Sequence, residues 1–218
     1  MDRKVMIVVE GINDMIFLKD FISVHFDYQL KSNIKNNSTI EIELISGNDT
    51  IIIQQIFGNS PDENILKNLK QKINSYQPND VIYIFDADLD YNETKKKIKQ
   101  TFSLINENIV YLFPNNRDAG DLECLLENIA KKVEILDCWE SFENCLVEIS
   151  TIEVSIPAKK SKIHTYLETL EPNTKLGKQN CKEINRNYKD IEKWNIKDTK
   201  SDYINSLLSF LNKYIIKK

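Results

Sequence analysis

Two aspartates, Asp86 and Asp88, follow directly on the apolar run Val81-Ile82-Tyr83-Ile84-Phe85, and Asp90 stands two residues further on. The run comes after a turn signal, Gln77-Pro78-Asn79-Asp80, and reads as a buried parallel strand, so the acids fall where that strand ends. In an extended segment Asp86 and Asp88 point to one side. Two carboxylates about 4 Å apart repel by roughly 4 kcal/mol at an effective dielectric near ~20. A hard divalent cation, a shared proton or a basic partner can offset that repulsion. No Lys or Arg lies between Lys72 and Lys95, which points to a cation; a solvated Asp-rich loop is the plain alternative.

A third carboxylate joins this pair by position. Lys4 to Val9 reads as the first strand and runs into Glu10-Gly11. In a parallel sheet the carboxyl ends of all strands share one edge, where ligands bind, so Glu10, Asp86 and Asp88 are expected to converge there as a metal site. Glu123 is a further candidate ligand in the first turn of a later helix, where the helix dipole alone also favours an acid. Asp90 is a candidate outer ligand or a turn former. Gly11 is expected to let the backbone approach a phosphate, and Asp14 to cap or pair locally. Lys159, Lys160 and Lys162 follow Pro157 and either neutralise phosphate charge or form a solvated helix face. Two competing uses of the acids fit less well. A calcium loop starting at Asp86 needs Gly and Glu where the chain has Tyr91 and Lys97. A haloacid-dehalogenase-like phosphatase carries its nucleophilic aspartate on the first strand, which here ends in Glu10.

The elements that must position these residues alternate along the first part of the chain. A helix is expected from Ile12 to His25, then a polar, Asn-rich connection from Tyr28 to Ser38 and a second strand from Ile40 to Ile45. Thr50 to Phe57 is ambiguous between helix and strand. A helix from Glu63 to Tyr76 precedes the strand at Val81, a Lys-rich helix covers Asn92 to Ile105, and Ile109 to Phe113 forms a last strand closed by Pro114. The order β-α-β-α-β-α-β is that of a Rossmann-like parallel sheet of about four strands, flanked by helices. Helices alone follow, over Leu122 to Ala130, Asp137 to Ile149, Lys160 to Leu170 and Asp202 to Ile215, with Glu171 to Asp202 read as an irregular surface excursion. Residues 1–130 are thus expected to form an α/β domain and 131–218 a helical C-terminal extension packed on it.

Composition bounds the rest. With 218 residues and 41% apolar side chains the chain can bury one good core, and it contains no apolar run of the length a membrane span needs. The first strand is too short and ends too soon in Glu10 to be a signal peptide, so a cytoplasmic protein is expected. Cys124, Cys138, Cys145 and Cys181 form no CxxC pair, and Cys138 and Cys145 fit an amphipathic helix as packed thiols. The net charge of −4 argues against a general nucleic-acid binder, yet it is unevenly spread: residues 1–150 carry net −10 and residues 151–218 net +6. The basic third is either a landing surface for phosphates beside the metal site or ordinary helix surface.

These residues resemble a known family. Val8-Val9-Glu10-Gly11-Ile12-Asn13-Asp14 is similar to the "VEGxxD" opening of Toprim domains, and Ile84-Phe85-Asp86-Ala87-Asp88 to their DxD motif. Leu112-Phe113-Pro114-Asn115-Asn116, with Gly120 and Leu122-Glu123, resembles the strand-turn-helix that follows in small Toprim-like proteins related to overcoming-lysogenisation-defect nucleases. The resemblance covers about residues 4 to 130 and, more weakly, the helix with Lys162 and His164. It implies a Toprim-like fold in which Asp86 and Asp88 hold Mg²⁺, with Mn²⁺ as a substitute, and Glu10 moves a proton or helps hold metal. It further implies a nuclease acting on DNA or RNA. The rival expectation is a metal-binding regulatory module without turnover of its own, dependent on a partner protein such as an ATPase.

Overall fold

Alternation along Lys4–Val9 (β1) sorts its side chains into two cores, with Val5, Ile7 and Val9 on one face and Met6 and Val8 on the other. In the computed structural model, which describes residues 2–36, 39–58, 61–149 and 151–216, this strand lies inside a six-stranded sheet. The other strands are β2 (Gln29–Asn36), β3 (Thr39–Ser46), β4 (Asp49–Gln55), β5 (Asp80–Asp86) and β6 (Val110–Phe113). Their order is β2-β3-β4-β1-β5-β6. Strands β4, β1, β5 and β6 run parallel, whereas β2 and β3 add antiparallel at one side.

The same alternation continues outward from β1. Ile51 and Ile53, Ile82 and Ile84, and Tyr111 and Phe113 share the face of Ile7, while Ile52, Phe85 and Leu112 share that of Met6. Helices cover both faces. On the first lie α1 (Ile12–Phe26), α4 (Leu122–Ile129), α6 (Lys159–Leu170) and α8 (Asp202–Ile215); on the second lie α2 (Glu63–Tyr76) and α3 (Tyr91–Thr101). Burying a side chain such as Phe17, whose ring meets Phe113 at 6.0 Å and Tyr188 at 5.4 Å, contributes about 1.5–3 kcal/mol.

The mixed sheet of six strands corrects the expected parallel sheet of about four. The segment read as a polar connection contains β2, an edge strand whose Lys, Ser and Asn side chains suit an exposed edge and hide its strand character. The ambiguous segment after Thr50 is β4, joined to β3 by a turn at Gly47-Asn48 and seated beside β1.

Two further expectations change. The Glu171–Asp202 excursion contains α7 (Lys175–Asn180) and is otherwise irregular, but it is no surface feature: Cys181, Arg186, Tyr188, Trp194 and Ile196 are all buried, and Trp194 bridges to Ala130. Cys138 and Cys145, expected as packed thiols, are exposed on α5 (Val133–Glu148), a helix that buries only Leu136. All four thiols are free, and no described helix is long and apolar enough to cross a membrane.

Gly120 closes the turn that leads from β6 to α4. It sits at φ +136, where a Cβ would lie 3.0 Å from Cys124 Sγ and 3.1 Å from Pro114 Cδ; Gly47, at φ +59, has open space around it. Gly47→Ala should therefore cost only the backbone strain of about 1–2 kcal/mol, and Gly120→Ala clearly more, as measured by urea unfolding of the two variants side by side.

Candidate functional site

The parallel strands deliver their last residues to one edge, and the helices that follow start there. After β1, Glu10 and Gly11 lead into α1. Gly11 has ordinary extended backbone, and its N–H donates to Asp14 Oδ2 at 2.8 Å, closing the first turn. After β5, Asp86 Oδ1 accepts the N–H of Leu122 at 2.9 Å, so the N-terminus of α4 is aimed at that carboxylate. One residue later Glu123 is only 2% exposed.

Glu123 is fixed from the far side. Its Oε1 accepts from Asn13 Nδ2 at 3.1 Å, and Asn13 Oδ1 in turn accepts from Arg186 Nη1 at 2.9 Å and from the Tyr188 hydroxyl. Arg186, 5% exposed, also donates from Nε to the Cys181 carbonyl at 3.3 Å. Residues from α1, α4 and the C-terminal excursion thus share one buried polar network.

These groups border a recess of 280 Å³ walled by Glu10, Asp14, Asp86, Glu123, Glu183 and a single cation, Lys160. Burial pushes the Asp14 carboxyl up to about 7, with Glu10 and Glu123 adding repulsion against the lowering effect of the Gly11 N–H. Asp86 is raised well above the carboxylate range, first by burial and then by Asp14 and Glu123. Glu123 is raised by burial and by Asp121. Burial alone would lower Lys160, yet the fields of Glu123, Glu183, Asp14 and Asp86 outweigh it and hold the ammonium charged. Hard oxygen donors short of positive charge are the donor chemistry that suits Mg²⁺. Among the described residues, no three such side chains are already drawn together at ligand spacing.

Of the other expected site residues, Asp88, Asp90, Lys159 and Lys162 fall outside this recess. Asp88 is exposed and does not line it, because the chain leaves the extended conformation there, at φ +53, and bonds backbone to backbone with Gly120. The same-side rule for alternating residues therefore does not carry Asp88 to Asp86. Asp90 caps α3, accepting from Glu93 N at 2.9 Å, which is the turn role. Gly11 borders the recess, but its N–H is committed to Asp14 rather than offered to a phosphate. Lys159 pairs with Asp121 and Lys162 with Glu127, leaving Lys160 as the one of the three that faces the acids. Asp14, read as a local cap, is both cap and wall. Asn13, Arg186 and Glu183 were not anticipated; the isolated arginine in a Lys- and Asn-rich stretch was the only signal for them.

The sequence matches the model of a family described as "Protein of unknown function (DUF3226)" over residues 4–215. The chain belongs to the DUF3226 family. No curated protein matches it. Among solved structures, a hypothetical protein from Pyrococcus horikoshii OT3 is similar over 97% of this chain and 95% of its own, with 16% identity and a TM-score of 0.50. That likeness shows a shared α/β fold. Futalosine hydrolase from Helicobacter pylori strain 26695 is similar over 40% of this chain, with 13% identity and a TM-score of 0.31, and this chain spans 36% of its length, too slight a likeness to carry an argument.

The raised carboxyls have a consequence for this DUF3226 member. A group whose folded pKa lies above its unfolded value stabilises the fold below the unfolded value and loses that contribution as pH rises through the folded one. For Asp14 this window runs from 3.8 to about 7. The stability of Asp14→Asn relative to the parent chain should therefore increase from pH ~4 to pH ~7, as read from urea unfolding at stepped pH.

Proposed function

We propose that this protein is a Mg²⁺-dependent phosphoryl-transfer enzyme, a Toprim-type nuclease acting on DNA or RNA. The observation that carries the reading is the convergence of Glu10, Asp86 and Glu123 on one recess at the carboxyl edge of the sheet. Burial and neighbouring carboxylates push the Asp86 and Glu123 carboxyls up, and the fields of Lys160 and Arg186 offset that rise at Glu123 only in part. In this reading Asp86 and Glu123 would hold the metal, and Asp88 stands outside the recess. Bound Mg²⁺ supplies Lewis acidity to a scissile phosphate. Glu10 takes a proton from the attacking oxygen, and Asp14, able to stay protonated near neutral pH, gives one to the leaving oxygen. Lys160 orients the phosphate, and the Arg186-Asn13 pair keeps the Glu123 carboxylate turned inward. The reading sets the protein in the cytoplasm, where free thiols such as Cys124 persist.

A second reading, a module that works only with a partner protein, is favoured by α5. That helix carries Glu134, Asp137, Glu140, Glu143 and Glu148 with no basic residue, and leaves Val133, Phe142 and Val147 exposed.

The test pairs cleavage with metal binding. Purified protein should cut plasmid or labelled single-stranded DNA or RNA in Mg²⁺, and Asp86→Asn and Glu10→Gln should reduce the rate by at least about 100-fold, the scale of a lost acid–base group. Millimolar Mg²⁺ should raise the Tm of the parent chain but not that of Asp86→Asn. Stabilisation by metal without any cleavage would move the conclusion to the partner-dependent module. Absence of both would end the metal reading.

A further inference from the structure

The acidic recess opens into a larger one of 670 Å³, with which it shares Ile12, Gln55, Phe57, Lys160 and Glu183. The far wall of this second recess carries His164 and Lys182. Lys182 also lines a third recess of 440 Å³, beside Lys175 and Lys178. A path therefore leads away from the acids along four lysines on α6, α7 and the segment after α7. None of the four makes an ion pair among the described residues, whereas Lys159 and Lys162, their neighbours on α6, both do. Four of the basic residues of 151–218 thus line one track, with Glu183 at its acidic end.

Phe57 marks where the track meets the acids. Phe57 is 52% exposed and borders the acidic recess, the basic recess and a further cavity of 390 Å³ near α2. Its φ is +58, a left-handed conformation that a residue with a Cβ disfavours. An apolar ring held in water by a disfavoured backbone, at the junction of three cavities, gains nothing for the core. Strain of this kind gathers at ligand sites.

Resting on the nuclease reading above, we propose that this track binds one unpaired nucleic-acid strand. Phe57 stacks on the base next to the phosphate in the acidic recess, and Lys160, Lys182, Lys178 and Lys175 follow the phosphates leading away. An exposed aromatic face stacks on a base only when that base has left a duplex, which selects a single strand over a double one. Each lysine removes counterions from the strand, so binding weakens as salt rises.

Fluorescence anisotropy of the whole chain in Ca²⁺ tests this, with labelled oligothymidylate, oligouridylate and a hairpin duplex of equal length as probes. One or both single strands should bind about tenfold tighter than the hairpin. Phe57→Ala should weaken single-strand binding about tenfold, equal to ~1.4 kcal/mol, and leave hairpin binding and Tm unchanged. Phe57→Trp should keep the affinity, and its emission should be quenched by the oligonucleotide. Lys178→Gln and Lys182→Gln should each flatten the slope of log K against log salt by about 0.7. Equal affinity for the hairpin, or a Phe57→Ala variant that binds single strands as well as the parent, would overturn the proposal. Single-strand binding that depends on Phe57 in a protein that cleaves nothing would uphold the track and overturn only the catalytic reading. Duplex cleavage lost in Asp86→Asn but indifferent to Phe57→Ala would do the reverse.

Discussion

Mutual repulsion among Glu10, Asp14, Asp86 and Glu123 is the constraint to which the surrounding structure answers, and each nearby element makes a partial reply. The α4 N-terminus gives Asp86 one N–H, the start of α1 gives Asp14 another, and Asn13 gives Glu123 a donor whose own oxygen is held by Arg186. These hydrogen bonds come from neutral donors, and the Arg186 guanidinium, bonded to Asn13, acts on Glu123 by its field alone. Among the described residues that line the recess, Lys160 is the one cation. Asp14, Asp86 and Glu123 consequently remain hard to ionise, and a rigid scaffold keeps them in place. The four adjacent parallel strands, packed on both faces, are that scaffold.

How much of this could be read from the sequence follows from which physical signal each residue carried. β1, β5 and β6 were legible because they are apolar and buried on both faces, and Glu10 and Asp86 were legible because strand ends fix position. The edge strand β2 was missed, since an exposed edge tolerates the Lys, Ser and Asn side chains that also make loops. Asp88 was misplaced by one backbone rotation: the period-two rule holds only while the chain stays extended, and nothing local announces φ +53. Arg186 and Glu183 lie in a segment without periodicity, and their position depends on tertiary packing alone.

The excursion between α6 and α8 also changes how the chain divides. Tyr188 and Trp194 pack ring to ring at 5.5 Å, Trp194 meets Tyr166 at 5.1 Å, and all three belong to the core cluster that holds Ile7 and Ile84. Helical extension and sheet therefore share one hydrophobic interior. The charge asymmetry of the sequence is retained as geometry, with Glu10, Asp14, Asp86 and Glu123 on one side of the recess and, among the described residues, Lys160, Lys175, Lys178 and Lys182 on the α6–α7 side together with Glu183.

The link from Arg186 through Asn13 to Glu123 has a temporal meaning as well. Asn13 leaves the ribosome ahead of the other residues of this network, and its oxygen waits for Arg186 and Tyr188, separated from it by 173 and 175 positions. During synthesis the sheet can assemble, strand by strand, well before those two donors exist. The polar network that fixes Glu123 can then close only after the strands of the sheet are made, so the acidic recess is completed late relative to the scaffold that carries it.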